Sequence, residues 1–278
     1  MAWIDIHTHL VPYSGASGYP KGIAPEDLIA AMDGWGVGQA VVLPLESPEC
    51  DGEYAPSAQT FDICAQFPER LIPFVDVDPR AQRAVEKLRH YATRGARGFG
   101  EHKLGLAIDD PRSMKLYHLC GELALPILFH MDPDLNWDQA GLPGLARVLK
   151  AFPQTAFIGH GPAWWSAISA DDDRKGGYPK GPVKPGGALD RLLRECPNLY
   201  ADISAGSGNN ALTRDPAFTE GFLERHWRKL ILGTDYFLAG QNVPQIEWLK
   251  TYPMPEEWRE AIGRGNAGSL LKPLGQTV

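Results

Sequence analysis

LYHLCGELALPILFHMDPDLNWDQAGLPGLARVLKAFPQTAFIGHG, residues Leu116 to Gly161, contains one pattern twice. Leu116, Leu119, Cys120 and Leu123 recur at i, i+3, i+4, i+7, the spacing of one buried helix face. A short apolar run, Pro126 to Met131, follows and reads as a strand. Leu145, Val148, Leu149 and Phe152 then repeat the helical spacing, and Thr155 to Gly161 repeats the strand. Both runs are too apolar for a sheet with one wet face, which fits a parallel sheet covered by helices.

Working outward, further strands are expected at Trp3 to His9, Gln39 to Leu45, Leu71 to Val77, Ala96 to Lys103, Leu199 to Ala205 and Leu230 to Tyr236. Helical patterns lie between them, such as Leu189, Leu192, Leu193 and Cys196. Pro25-Glu26-Asp27 and Asp110-Pro111 are helix starts, and Gly36 is a stop. Eight β-then-α units in 278 residues suit a single α/β domain, a (β/α)8 TIM barrel of typically ~250 residues, spanning 1–278. A doubly wound nucleotide binder is disfavoured, because Gly98-Phe99-Gly100-Glu101-His102-Lys103 lacks the third glycine of the fingerprint. The stretch Ala163 to Gly187 reads as an enlarged loop after strand six, on the face where barrels build active sites.

The chain is 44% hydrophobic with a net charge of -7, so it offers no global positive field for nucleic acid and a small molecule is the expected partner. No apolar run approaches the roughly 20 residues of a membrane span, and the first residues lack a secretory pattern, so a cytoplasmic location is expected. Four cysteines without a C-x-x-C pair read as reduced thiols, with Cys50 in a polar loop the best candidate for exposure.

Chemistry is concentrated at strand ends. In Asp5-Ile6-His7-Thr8-His9 the two histidines share a strand face, roughly 6.6 Å apart along it. His130 ends strand five, His160 strand six and Asp235 strand eight, the rim where barrel enzymes place catalytic groups. Such a ring of nitrogen and oxygen donors suits Zn2+ or a similar divalent cation, with Mn2+ the alternative and one ion or two both open. On strand four, Glu101 and Lys103 share a face; Glu101 is favoured as the metal-directed carboxylate, and Lys103 is left to bind substrate anion or to pair with Glu101. Trp164 and Trp165 on the long loop, with Arg174, Lys175, Tyr178, Lys180 and Lys184, are expected to cover the pocket. Asn209, in the Gly-Ser-Gly-Asn-Asn stretch after strand seven, is expected to cradle an anion, and Asp202 and Ser204 flank that strand's end. Exposed aromatics in these loops also leave a homo-oligomer interface open.

The series His7-x-His9, His130, His160 and Asp235 resembles the amidohydrolase superfamily over essentially the whole chain. Gly159-His160-Gly161, Gly233-Thr234-Asp235 and Gly265-Asn266-Ala267 look like its amidohydrolase-related branch, which holds hydrolases, lactonases and non-oxidative decarboxylases such as aminocarboxymuconate semialdehyde decarboxylase. The resemblance implies that His7, His9, His130 and Asp235 approach metal, while His160 is a ligand or polarises a carbonyl. Binuclear members bridge two ions with a carboxylated lysine or a glutamate on strand four, where this sequence has Lys103 and Glu101, and many mononuclear members use neither. The first expectation is a metal-dependent hydrolase of an ester, lactone or amide with Asp235 as general base. A metal-dependent decarboxylase is the second and a non-catalytic metal-binding barrel the third.

Overall fold

The computed structural model describes residues 2–11, 22–175 and 177–271; the other positions of the expected 1–278 domain lie outside the described residues. Eight strands occur in the expected order: β1 (Trp3–Thr8), β2 (Val37–Val42), β3 (Leu71–Pro73), β4 (Phe99–His102), β5 (Ile127–His130), β6 (Phe157–His160), β7 (Leu199–Asp202) and β8 (Leu230–Ile231). Each lies inside its expected stretch except β2, which begins at Val37 instead of Gln39.

All strand pairs are parallel, in a three-stranded sheet β1-β2-β3 and a five-stranded sheet β4-β5-β6-β7-β8. Backbone hydrogen bonds join the two sheets at both edges. Val75 N donates to Gly98 O and Gly100 N to Val75 O (3.0 and 2.9 Å), while Ile6 N donates to Leu232 O and His9 N to Tyr236 O (2.9 and 3.0 Å). The eight strands thereby form a (β/α)8 barrel. The β1/β8 seam is also tied by Asp5, whose carboxylate accepts from Thr234 N at 3.0 Å and Thr234 Oγ1 at 2.6 Å. Burial pushes the Asp5 carboxyl up to about 7, against the hydrogen bonds from Thr234 and His7.

The helix Pro25–Trp35 starts at its proline and stops at Gly36, whose left-handed backbone (φ 83°) suits a residue without Cβ. The helix Pro111–Glu122 is capped by Asp110, which accepts from Arg112 N at 2.9 Å. No helix among the described residues is long and apolar enough to cross a membrane.

Ile4, Ile6, Val41, Leu43, Ile72, Phe74, Leu128, Ile158 and Ile231, from six of the strands and their ends, form one apolar cluster with Ala267 and Leu271. A larger cluster contains the other strand faces and the surrounding helices. On β1 this raises a parity question, since Ile4 and Ile6 belong to the strand cluster while His7 and His9, of opposite parity, reach the polar site. A register irregularity between Asp5 and Thr8 accounts for it, and a second lies between Phe99 and His102 on β4, ahead of Lys103. Such irregularities re-aim side chains at barrel rims.

Candidate active site

The ends of β1, β4, β5, β6 and β8 converge on a cavity of about 180 Å3 whose lining includes His9, Glu101, His130, His160 and Asp235. His7 lies fully buried beside them. His7 Nε2 and His9 Nε2 are 3.0 Å apart. Asp235 Oδ1 is 3.4 Å from the first and 3.5 Å from the second, and Glu101 Oε2 is 3.8 and 3.3 Å from the same two atoms. Donors held by one ion at 2.0–2.1 Å would stand roughly 2.8–3.4 Å apart at octahedral to tetrahedral angles, so this group fits a divalent cation.

Glu101 turns its other oxygen to a second pair of imidazoles. Oε1 is 3.0 Å from His130 Nδ1 and 3.8 Å from His160 Nε2. His130 and His160 are directly paired across β5 and β6, with ring centroids 5.3 Å apart. Donor groups of three therefore form on both sides of Glu101: His7, His9, Glu101 and Glu101, His130, His160.

A surrounding layer of hydrogen bonds fixes the rings. His9 Nδ1 donates to Leu43 O at 2.9 Å, which turns Nε2 toward the cavity. His7 Nδ1 does the same to Asp202 Oδ2 at 2.6 Å, and His130 Nε2 lies 3.2 Å from Asp132 Oδ2. Asp202 Oδ2 also accepts from Ser204 Oγ at 2.8 Å, and that hydroxyl lies 2.9 Å from His160 Nδ1. Gly233 makes room for this carboxylate, because a Cβ there would fall 2.1 Å from Asp202 Oδ1. The sequence places Asp202 and Ser204 at the end of strand seven, but only the closed barrel brings them to rings on β1 and β6.

Burial opposes ionisation of Asp202, yet the His7 and His160 imidazoles hold it well below the usual carboxylate range. Asp202→Asn is expected to weaken metal binding about 10- to 100-fold, because His7 loses the acceptor that orients it. Competition with a chromophoric chelator measures this; unchanged affinity would leave Asp202 with a packing role alone.

Burial also opposes charge on His9, but Asp235 and Glu101 outweigh it and push the imidazole up to about 10. Without a cation, a proton on this ring balances the carboxylates. Loading a divalent metal at pH 7 is therefore expected to release at least one proton, with affinity rising about tenfold per pH unit below pH 10. Pairing pH-stat titration with metal titration checks it, and pH-independent affinity would contradict it. Glu101 and Asp235 stay ionised despite their burial: Lys103 and His130 lower the first, His7 and His9 the second.

Other expectations change. Trp164 and Trp165 are not over the cavity but in a short helix, Pro162–Ser166, and both are buried in the core. Gly159 leaves the space for Trp164, since a Cβ there would lie 2.5 Å from the indole, and Trp165 Nε1 donates to Asp202 O at 3.0 Å. Asn209 is half-buried within the helix Ala205–Thr213, not in an anion-cradling loop, because Gly208 packs against the Ile203 backbone and the segment winds up. Lys103 lines the cavity and pairs with Glu53 at 2.9 Å, a partner that the sequence did not point to. Cys50 is buried, its thiol folded toward the Lys103 carbonyl, and Cys196 is the one half-exposed cysteine.

With this geometry in place, residues 4–272 match the protein family described as amidohydrolase. No curated protein matches the chain. Among solved structures it is similar to an uncharacterised TIM-barrel protein from Bordetella bronchiseptica, with 17% identity, 99% of this chain and 100% of that one covered, and a TM-score of 0.71. It is also similar to a probable 2-pyrone-4,6-dicarboxylic acid hydrolase from Acinetobacter baumannii with citric acid bound (16%, 98% and 99%, TM-score 0.62). A third is a dihydroxybenzoic acid decarboxylase from Polaromonas sp. with bound manganese and the inhibitor 2-nitroresorcinol (15%, 97% and 96%, TM-score 0.59).

Proposed function

The chain belongs to the amidohydrolase family, and from that membership we propose that it is a metal-dependent hydrolase of a small ester, lactone or amide, acting as one domain. The observation that carries this reading is the division of Glu101: one oxygen faces His7 and His9, the other His130 and His160. A carboxylate so divided is built to be shared by two cations. His7, His9 and Asp235 would hold one, His130 and His160 the second. The donor set has imidazoles and carboxylates and no thiolate, which suits Zn2+ first and Mn2+ as the alternative.

Divalent ions supply Lewis acidity toward a carbonyl and lower the pKa of water from 15.7 toward ~7. The chain's own residues do the rest. Asp235 sits at φ 55°, in the left-handed region, with its backbone N donating to His7 O at 2.8 Å. Its Oδ1 faces the β1 histidines and its Oδ2 is 3.8 Å from His160 Nε2. Its side chain is 20% exposed, far more than Glu101 at 3%, so it is the carboxylate with access to an attacking water. Asp235 accepts that proton and returns it to the leaving group.

A second reading, non-oxidative decarboxylation, uses the same ligands and is the activity named for the Polaromonas relative. Elemental analysis after reconstitution with Zn2+ or Mn2+, alongside ester, lactone and amide hydrolysis and CO2 release from dihydroxybenzoates, separates the two. Two ions with metal-dependent hydrolysis are expected. One ion with CO2 release and no hydrolysis would replace this reading with the decarboxylase.

A further inference from the structure

Two charged side chains of the cavity lining are not among the donors of the metal centre described above, Lys103 and Glu53. Lys103 follows β4, two residues after Glu101, and Glu53 ends the 3-10 turn Pro48–Glu53. Lys103 Nζ donates to Glu53 Oε2 at 2.9 Å, with the side chains 19% and 26% exposed. Among the described residues lining the cavity, Lys103 is the only lysine or arginine.

The pair is not what fastens the turn. Leu45 and Ala55 exchange backbone hydrogen bonds at 2.8 and 3.0 Å across its base. Arg80 grips both oxygens of Glu49 at 2.7 Å, and Ser47 Oγ donates to the Lys103 carbonyl at 2.5 Å. With the loop held at these points, the ammonium and carboxylate are free to serve a ligand. A substrate carboxylate that replaces Glu53 keeps the Lys103 ammonium paired, so the exchange leaves no lone cation in the cavity.

We propose that Lys103 anchors a carboxylate of the substrate, remote from the bond that is cleaved, and that Glu53 is the internal carboxylate occupying Lys103 until substrate arrives. This rests on the hydrolase reading and names its substrate class: a small ester, lactone or amide bearing a free carboxylate. The rest of the lining agrees, since Val11, Leu45 and Phe237 offer apolar contact for a short carbon skeleton. A volume of about 180 Å3 lies below the ~300–1,000 Å3 of drug-sized pockets, which limits the enclosed part of the ligand to a small acid.

The test uses metal-reconstituted protein and two esters, mono-4-nitrophenyl succinate and the neutral 4-nitrophenyl butyrate. In Lys103→Met the succinate-over-butyrate ratio of kcat/KM is expected to fall about 10- to 100-fold, carried by KM, and Lys103→Arg to recover much of it. In Glu53→Gln the ratio is expected to rise. An unchanged ratio in either Lys103→Met or Glu53→Gln overturns the assignment, whatever happens to the absolute rates. If the wild type cleaves neither ester, the hydrolase reading is decided by the lactone, amide and CO2-release assays above, and the anchor is judged separately by calorimetry with succinamate. Succinamate binding lost in Lys103→Met at unchanged metal content supports it, and equal binding by both proteins overturns it.

Discussion

Glu101→Gln is expected to reduce the metal content from two ions per chain to one or none and to lower hydrolysis by about 10³-fold or more. The substitution keeps the shape but replaces one oxygen by an amide NH2, which offers no lone pair and turns positive hydrogens toward a cation. Glu101 is buried, and its oxygens stand between the two imidazole pairs, so both donor groups that it joins are lost without it, and only His7, His160 and Asp235 remain together as a group of three. Loss of several kcal/mol of charge stabilisation gives the expected rate effect. Elemental analysis and single-substrate kinetics on the same preparation measure both quantities. One ion in the wild type, retained by the mutant, would remove Glu101 from the ligand set.

Asp235→Asn is expected to lower kcat by about 10²- to 10⁴-fold, the range for loss of a positioned general base, with at least one ion retained. His7, His9 and Glu101 remain as donors on that side, and the amide is close to isosteric. The pH profile adds a second readout. Against the cost of burial, His7 and His9 hold the wild-type carboxylate below its usual range, so the base stays ionised down into the ordinary carboxylate range. Asparagine has no such group, and the residual rate is expected to lose this acid limb. A mutant with wild-type kcat would transfer the proton-accepting role elsewhere.

The barrel was legible because local signals repeat: helical spacing such as Leu145, Val148, Leu149, Phe152 alternates with runs such as Ile127–His130. The polar ring was legible for a related reason, since His130, His160 and Asp235 each interrupt an apolar stretch at the same end of a strand or just beyond it. What was not legible depends on contacts across the barrel. His7 owes its orientation to Asp202, 195 residues away, and nothing local announces that pairing. Trp164 and Trp165 follow Gly161-Pro162, a dipeptide that reads as a turn, yet the proline opens a helix and the hollow at Gly159 draws one indole inward. Gly206 to Asn210 has weak helical propensity, and tertiary packing overrides it. Cys50 looks exposed among polar neighbours until the turn folds it onto the Lys103 carbonyl.

The seam between β1 and β8 has a consequence for how the molecule is assembled. Asp5 and Thr234, which close it, are 229 residues apart, and the donors His7, His9 and Asp235 straddle the same line. A cation held there would act as a clasp between the first strand and the last. The clasp has nothing to grip until every intervening unit has folded and the final strand has docked. Affinity for the ion is then also free energy for closure of the whole ring, so extracting the metal would loosen the molecule first at the β1/β8 joint, far along the chain from most of its core.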